Sequence, residues 1–264
     1  MVAIVSTTHD PMYQFFLPIT AWCWQKLGVK VVVIFPKVGV PVKDSAVSRF
    51  GLAMSYCPQV RYESFEADDN KEATYTQCSR LFAHTITTPM DGAIILSDID
   101  MLVFRTPPIH HSDFTIWGAD LVPKEQYPMC YITGVHDAFE NAFGKYGNTL
   151  QQCLDNLLGG IECENMRGNY WGKDQETAYN EISLTNPLLF DRARPGTQFA
   201  SNRIDRDDSF WEERLTPDII DAHLWRPGYL PENVDKIVRL LTFMYPNDDH
   251  NWVCDYATKY REHL

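Results

Sequence analysis

The chain has 264 residues, of which 45% are hydrophobic, 22% charged and 13% aromatic, enough for one compact domain with a real core. Lys and Arg number 23 against 35 Asp and Glu, giving a formal net charge of −12. Such a surface repels phosphate backbones and anionic lipids, which argues against nucleic-acid and membrane-surface binding but leaves room for a local basic pocket.

Residues 2–6 form a short apolar run, predicted as a first buried strand. Residues 12–27 are apolar and aromatic and stop at Gly28, which predicts a helix with a kink or a late start at Pro18. A second β-branched run, 31–35, closes at Pro36 and predicts a second strand. Over 73–86 a helix is expected, with Cys78, Leu81, Phe82 and Ile86 on an apolar stripe and Thr76, Arg80 and His84 on another face. Residues 92–104 read as an apolar strand interrupted by Asp98 and Asp100. Strands apolar on both faces, with helices between them, imply an α/β protein with a mostly parallel central sheet flanked by helices.

Beyond this point the pattern is less regular. Short helices are predicted over 137–145, 149–158 and 174–182, with a turn-rich stretch at 167–172 and a loop-rich one over 185–230. Pro231 opens a helix with Val234, Ile237, Val238 and Leu241 on one face, and a last helix near 249–263 packs through Trp252, Val253, Tyr256 and Tyr260. No repeat or clean linker is visible, so 1–264 is expected to be a single domain with two halves, 1–105 and 106–264. The seven cysteines are odd in number and hold no CxxC pair, so neither a disulfide framework nor a Cys-rich zinc site is expected. No run approaches the roughly 18 apolar residues of a membrane helix. The N-terminus lacks the basic start of a signal peptide, and the expected location is cytoplasmic.

Asp98-Ile99-Asp100 is the first candidate site. In an extended segment residues i and i+2 point to one side, so both carboxylates are expected to face one spot and to hold a divalent cation. The spacing alone says little. The chain has 22 Asp, so about 1.8 Asp-x-Asp matches arise by chance, and two are found, the other being Asp205/Asp207 in a loop, read as solvated acids. Context separates them: Asp98 and Asp100 follow an apolar strand, and open α/β sheets bind ligands beyond the carboxyl ends of their strands. Burying both acids without a counter-charge is costly, so a metal, or Arg80 and Arg105, is expected beside them. His110-His111 reads as a solvated loop, Asp248-Asp249-His250 as a cap, and Trp22 and Trp24 as packing residues. Tyr13 is a packing residue with a nucleobase platform as its alternative.

The order of a helix bearing Arg80, an apolar strand and Asp98-x-Asp100 resembles the GT-A glycosyltransferases, which use nucleotide-sugar donors. The resemblance implies that Asp98 and Asp100 hold Mn²⁺ or Mg²⁺ against the donor diphosphate, with Arg80 nearby. It implies that Thr7 and Thr8, after the first strand, contact the nucleotide. Tyr170-Trp171-Gly172-Lys173-Asp174-Gln175-Glu176 is similar to a segment that lies beside the reacting sugar, making Asp174 and Gln175 the catalytic candidates and Trp171 a sugar platform. Asp174 is the candidate general base of an inverting reaction. Its other reading is an acidic first helical turn. Asp221-Ala-His223-Leu-Trp225-Arg226-Pro227-Gly228 resembles the segment that completes the metal site, so His223 is the third candidate ligand. The implied activity is metal-dependent transfer of a sugar, from UDP by default, to a hydroxyl of a glycan, protein or small molecule. The rival readings are a haloacid-dehalogenase-type phosphatase, which places its Asp pair after the first strand, and a catalytically silent nucleotide-sugar-binding protein on the same fold.

Overall fold

The computed structural model describes residues 1–37, 44–57, 59–67, 71–110, 113–159, 172–191, 203–207 and 209–264. Its centre is built by strands whose apolar residues alternate between two faces. In β1 (Val2–Ser6), Ala3 and Val5 join one core while Val2 and Ile4 join the other. β2 (Lys30–Pro36) repeats this, with Val31 and Val33 on the first side and Val32 and Ile34 on the second. Burial on both faces is what a parallel sheet between two helical layers requires.

The remaining strands are β3 (Arg61–Phe65), β4 (Ala93–Leu96), β5 (Met101–Val103), β6 (Phe114–Trp117), β7 (Ile132–Val135), β8 (Leu188–Phe190), β9 (Arg203–Ile204) and β10 (Asp221–His223). Seven of them form the central sheet in the order β3-β2-β1-β4-β7-β6-β8. β7 runs antiparallel to both neighbours, and the other pairs are parallel. The other three form a small sheet in the order β5-β10-β9.

One face of the central sheet carries α1 (Pro11–Gln14), α2 (Leu17–Lys26) and α3 (Asp44–Ser55). The opposite face carries α4 (Glu72–Ser79), α5 (His136–Phe143), α6 (Leu150–Leu158) and α7 (Lys173–Ile182). The chain then returns to the first face with α8 (Pro231–Met244) and α9 (Asn251–Arg261), so Ala3 and Tyr260 share one core. No described helix is long and apolar enough to cross a membrane.

The mostly parallel α/β architecture expected from the sequence is present, with three local differences. The segment 12–27 is two helices, with Pro18 in the first turn of α2, where its missing N–H costs nothing. The helix expected over 73–86 ends as α4 at Ser79 and tightens into a 3₁₀ segment, Arg80–Thr85. There the Ser79 and Thr85 hydroxyls donate to the carbonyls of Thr76 (2.7 Å) and Phe82 (2.8 Å), competing with regular helix bonding. The run 92–104 is also two strands. β4 ends at Leu96, a turn follows, and β5 leaves for the small sheet, anchored where Thr20 Oγ1 donates to Ile99 O at 2.5 Å.

Gly228 seats the segment before α8 against α1 and α2. A β-carbon there would lie 2.5 Å from Phe16 Cζ and 2.7 Å from Phe15 Cδ1, both fully buried. Gly228→Ala is therefore expected to destabilise by about 1–3 kcal/mol through overpacking. An unchanged urea midpoint would contradict this tight contact.

Candidate active site

In the strand order, β1 has β2 on one side and β4 on the other, so the chain reverses direction across the sheet between β1 and β4. Such a switch point opens a crevice at the carboxyl ends of the strands. Here Ser97 N donates to Ile4 O and Thr7 N to Ile34 O, each at 3.0 Å, so Thr7 and Asp98 flank the crevice. Thr7 is buried, with its hydroxyl donating to Thr8 O, and Thr8 Oγ1 accepts the Asp10 N–H at 3.1 Å.

Arg80 is the hub of one side. The break between α4 and the 3₁₀ segment puts its guanidinium under the end of β4. Nη1 donates to Ser97 O (2.9 Å) and Asp98 Oδ1 (2.6 Å), and Nη2 donates to Asp174 Oδ2 (3.1 Å). The side chains of Arg80 and Asp174 are only 5% and 4% exposed, while a third of Asp98 is open. Burial works against charge on Arg80, but Asp98 and Asp174 overcome it and raise its pKa. Burial also works to raise the Asp98 carboxyl, and here Arg80 wins and holds it below the usual range. At the more enclosed Asp174 burial wins and the pKa rises. Asp174 stands in the first turn of α7, which Gly172 opens at φ +91°, and its Oδ1 accepts the Gln175 N–H at 2.9 Å. Gln175 is half-buried beside it.

Asp100 belongs to a second cluster. Its Oδ2 has Arg206 Nη2 at 3.0 Å, His223 Nε2 at 3.6 Å and Arg226 Nε at 3.6 Å. β10 pairs antiparallel with β5, with His223 opposite Met101, which is what brings His223 to Asp100. His223 Nδ1 lies 3.4 Å from Asp205 Oδ1, leaving Nε2 directed at Asp100. Burial pushes the Asp100 carboxyl up, against the pull of His223 and with the help of Asp98. At His223 burial works downward, but Asp205 and Asp100 override it and the pKa is raised. Arg226 also caps the Tyr13 ring at 4.8 Å and donates to its hydroxyl. The fully buried Asp221 pairs with Arg203 through two 2.9 Å bonds, holding β9 and β10 together behind this cluster.

Several sequence expectations change. Asp98 and Asp100 do not share one extended strand: a turn separates β4 from β5, and the carboxylates face different cations, Asp98 facing Arg80 and Asp100 facing Arg206. Asp100 and His223 approach one another, whereas Asp98 is drawn aside. Among the described residues, the three-residue group whose ligand atoms all lie within 4.8 Å of one another is His136, Asp137 and Glu140, at the start of α5, beside the amino end of β4. Arg105 is exposed and donates to Pro217 O, so it gives these acids no counter-charge. Asp205, read as solvated, orients His223 instead. His110 is stacked on Phe190 with ring centroids 5.1 Å apart. Trp171 and His111 lie outside the described residues. No role was expected for Arg206 or Arg226. Arg226 carried a usable signal, lying three residues after His223 in the same segment; Arg206 carried none.

No protein-family model matches this chain, and no curated protein matches it. Solved structures do. The bifunctional glycosyltransferase WbbM superposes with a TM-score of 0.52 at 12% identity, covering 98% of this chain and 51% of that one. An active-site mutant of LgtC gives 0.50 at 8% identity over the full length of both chains. The galactosyltransferase LgtC with donor and acceptor sugar analogs gives 0.48 at 9% identity, again over both full chains. Asp98 follows the fourth strand, not the first as the phosphatase reading has it. With its sheet order, its switch-point crevice and the matches to WbbM and the LgtC mutant, the chain has the GT-A fold.

Proposed function

We propose that this chain transfers a sugar from a nucleoside-diphosphate sugar, UDP-linked by default, to the hydroxyl of a glycan, protein or small-molecule acceptor. The observation that carries the reading is the convergence of Arg80, Asp98, Asp100, Asp174 and His223 on the switch-point crevice of a GT-A fold. The residue types suit a hard divalent cation, Mn²⁺ or Mg²⁺: Asp100 and the Nε2 of His223, whose other nitrogen is turned to Asp205, approach one another, and Asp98 would join them by turning from Arg80. When bound, such a cation offsets charge on a leaving diphosphate.

The chain's own groups supply the rest. Arg80 presents a buried, permanently charged guanidinium at the end of β4, where electrostatic stabilisation of developing phosphate charge is most effective. Asp174 holds that guanidinium in place and is assigned a positioning role in this reading. Gln175 is the neighbouring group offered to the sugar. Thr7 and Thr8 follow β1, where the nucleotide enters in this reading, and Trp171 remains an expected sugar platform.

Thermal unfolding with a panel of nucleoside diphosphates, each with and without Mn²⁺, tests the proposal. Ligand at 100 times its dissociation constant adds about 2.7 kcal/mol, or roughly 5–10 °C for a domain of this size. A shift with one diphosphate that requires Mn²⁺ supports the donor site and names its base. No shift with any of them would sink it.

A further inference from the structure

One oxygen of Asp100 is surrounded by the chain's own positive groups. Arg206 Nη2 donates to Oδ2 at 3.0 Å, and His223 Nε2 and Arg226 Nε lie 3.6 Å from the same atom. These neighbours are not equivalent. Arg226 is also committed to Tyr13, and His223 is held by Asp205. Arg206 sits beside β9 with Nη2 on Asp100 and with Nη1 buried and lacking any hydrogen-bond partner. A buried guanidinium nitrogen without an acceptor is costly, and a planar guanidinium is suited to two oxygens of a phosphate at once. A divalent cation ligated by Oδ2 needs the position that Arg206 Nη2 occupies at 3.0 Å, so the two compete for that oxygen.

We infer that Arg206 is an exchange residue: a divalent cation displaces it from Asp100, and the displaced guanidinium then binds the diphosphate of the donor. This rests on the reading of the crevice as a nucleotide-sugar site and adds how that site is loaded. Cation and diphosphate then bind with positive cooperativity, each favouring the arrangement the other needs. The coupling is reciprocal by thermodynamic necessity.

The test is calorimetric titration of Mn²⁺ alone, and of UDP in saturating Mn²⁺, into wild type, Arg206→Gln, Arg206→Lys and Asp100→Asn. Arg206→Gln is expected to bind Mn²⁺ alone about 10-fold more tightly and UDP about 10-fold more weakly, within the usual span of coupling factors. Opposite signs distinguish exchange from a structural role, which would weaken both. Arg206→Lys, which keeps the charge and loses the planar fork, is expected to keep weak Mn²⁺ binding while losing UDP affinity. Melting curves of the variants confirm that each is folded, and the lysine variant carries the test if the glutamine variant is not. If Asp100→Asn abolishes Mn²⁺ binding while Arg206→Gln leaves it unchanged or weaker, the exchange is refuted and the metal site stands. Mn²⁺ binding that Asp100→Asn leaves intact overturns both.

Discussion

Arg80→Met is expected to lower the stability of the fold by about 3–5 kcal/mol, the usual effect of removing one partner from a buried ion pair. Two carboxylates lose their counter-charge at once, Asp98 at the end of β4 and the buried Asp174 in the first turn of α7. The same change removes the bond to Ser97 O, so the end of β4 also loses its tie to the 3₁₀ segment. The deficit should depend on pH in a definite direction. In wild type Asp98 is held below its ordinary pKa, so its contribution is present at neutral pH and lost as pH falls through that lowered value. In the variant burial is opposed only by the weaker pull of His223 and Arg203 on Asp98 and of the Gln175 N–H on Asp174. Their folded pKa values then lie above the unfolded ones, and protonation favours the folded state. The gap between wild type and Arg80→Met therefore narrows from pH 7 towards pH 4. Urea unfolding at several pH values measures it, and a gap that widened in acid would refute the Arg80 hub.

Asp100→Asn is expected to reduce sugar transfer about 10²–10³-fold, the scale of losing one preorganised electrostatic group. Asparagine keeps a carbonyl oxygen for Arg206 but leaves Arg206, His223 and Arg226 without their shared counter-charge, so a loss of stability smaller than that of Arg80→Met is expected. The two variants differ in that transfer carries the effect here, whereas stability carries it in Arg80→Met. Release of nucleoside diphosphate from the donor reports the activity, and thermal melting without ligand reports the fold. Transfer that survived in a well-folded Asp100→Asn chain would remove the metal site from the proposed mechanism. Transfer absent from wild type as well, with diphosphate still bound, would leave the silent-binder reading.

The sequence by itself determined the α/β class, because β-branched runs buried on two faces and separated by helices have few ways to pack. β1 was legible to the residue, and β2 and the helices at α5, α6, α7, α8 and α9 to within a few residues, since each carries a local apolar pattern with its own stop signals. The candidate residues Arg80, Asp98, Asp100, Asp174 and His223 were also legible, as residue types in a suggestive order. α3 and most later strands were not legible. β8, β9 and β10 are two or three residues long, too short for any period to show, and they are strands because neighbours distant in sequence supply their hydrogen bonds.

Only the tertiary structure decided which charge meets which. Arg80, Asp98 and Asp174 lie up to 94 residues apart and are joined because β4 ends and α7 begins beside the 3₁₀ segment. Asp100 was expected to share a face with Asp98. The turn after β4 sends it to Arg206, Arg226 and His223 instead, at separations above 100 residues for Arg206. Periodicity and capping act over one or two helical turns, whereas a counter-charge acts through space, and its position is known only once the chain has folded back. The same reason explains why Asp205 read as a solvated acid. Its partner His223 comes from a separate strand, and β9 pairing with β10 brings the two together.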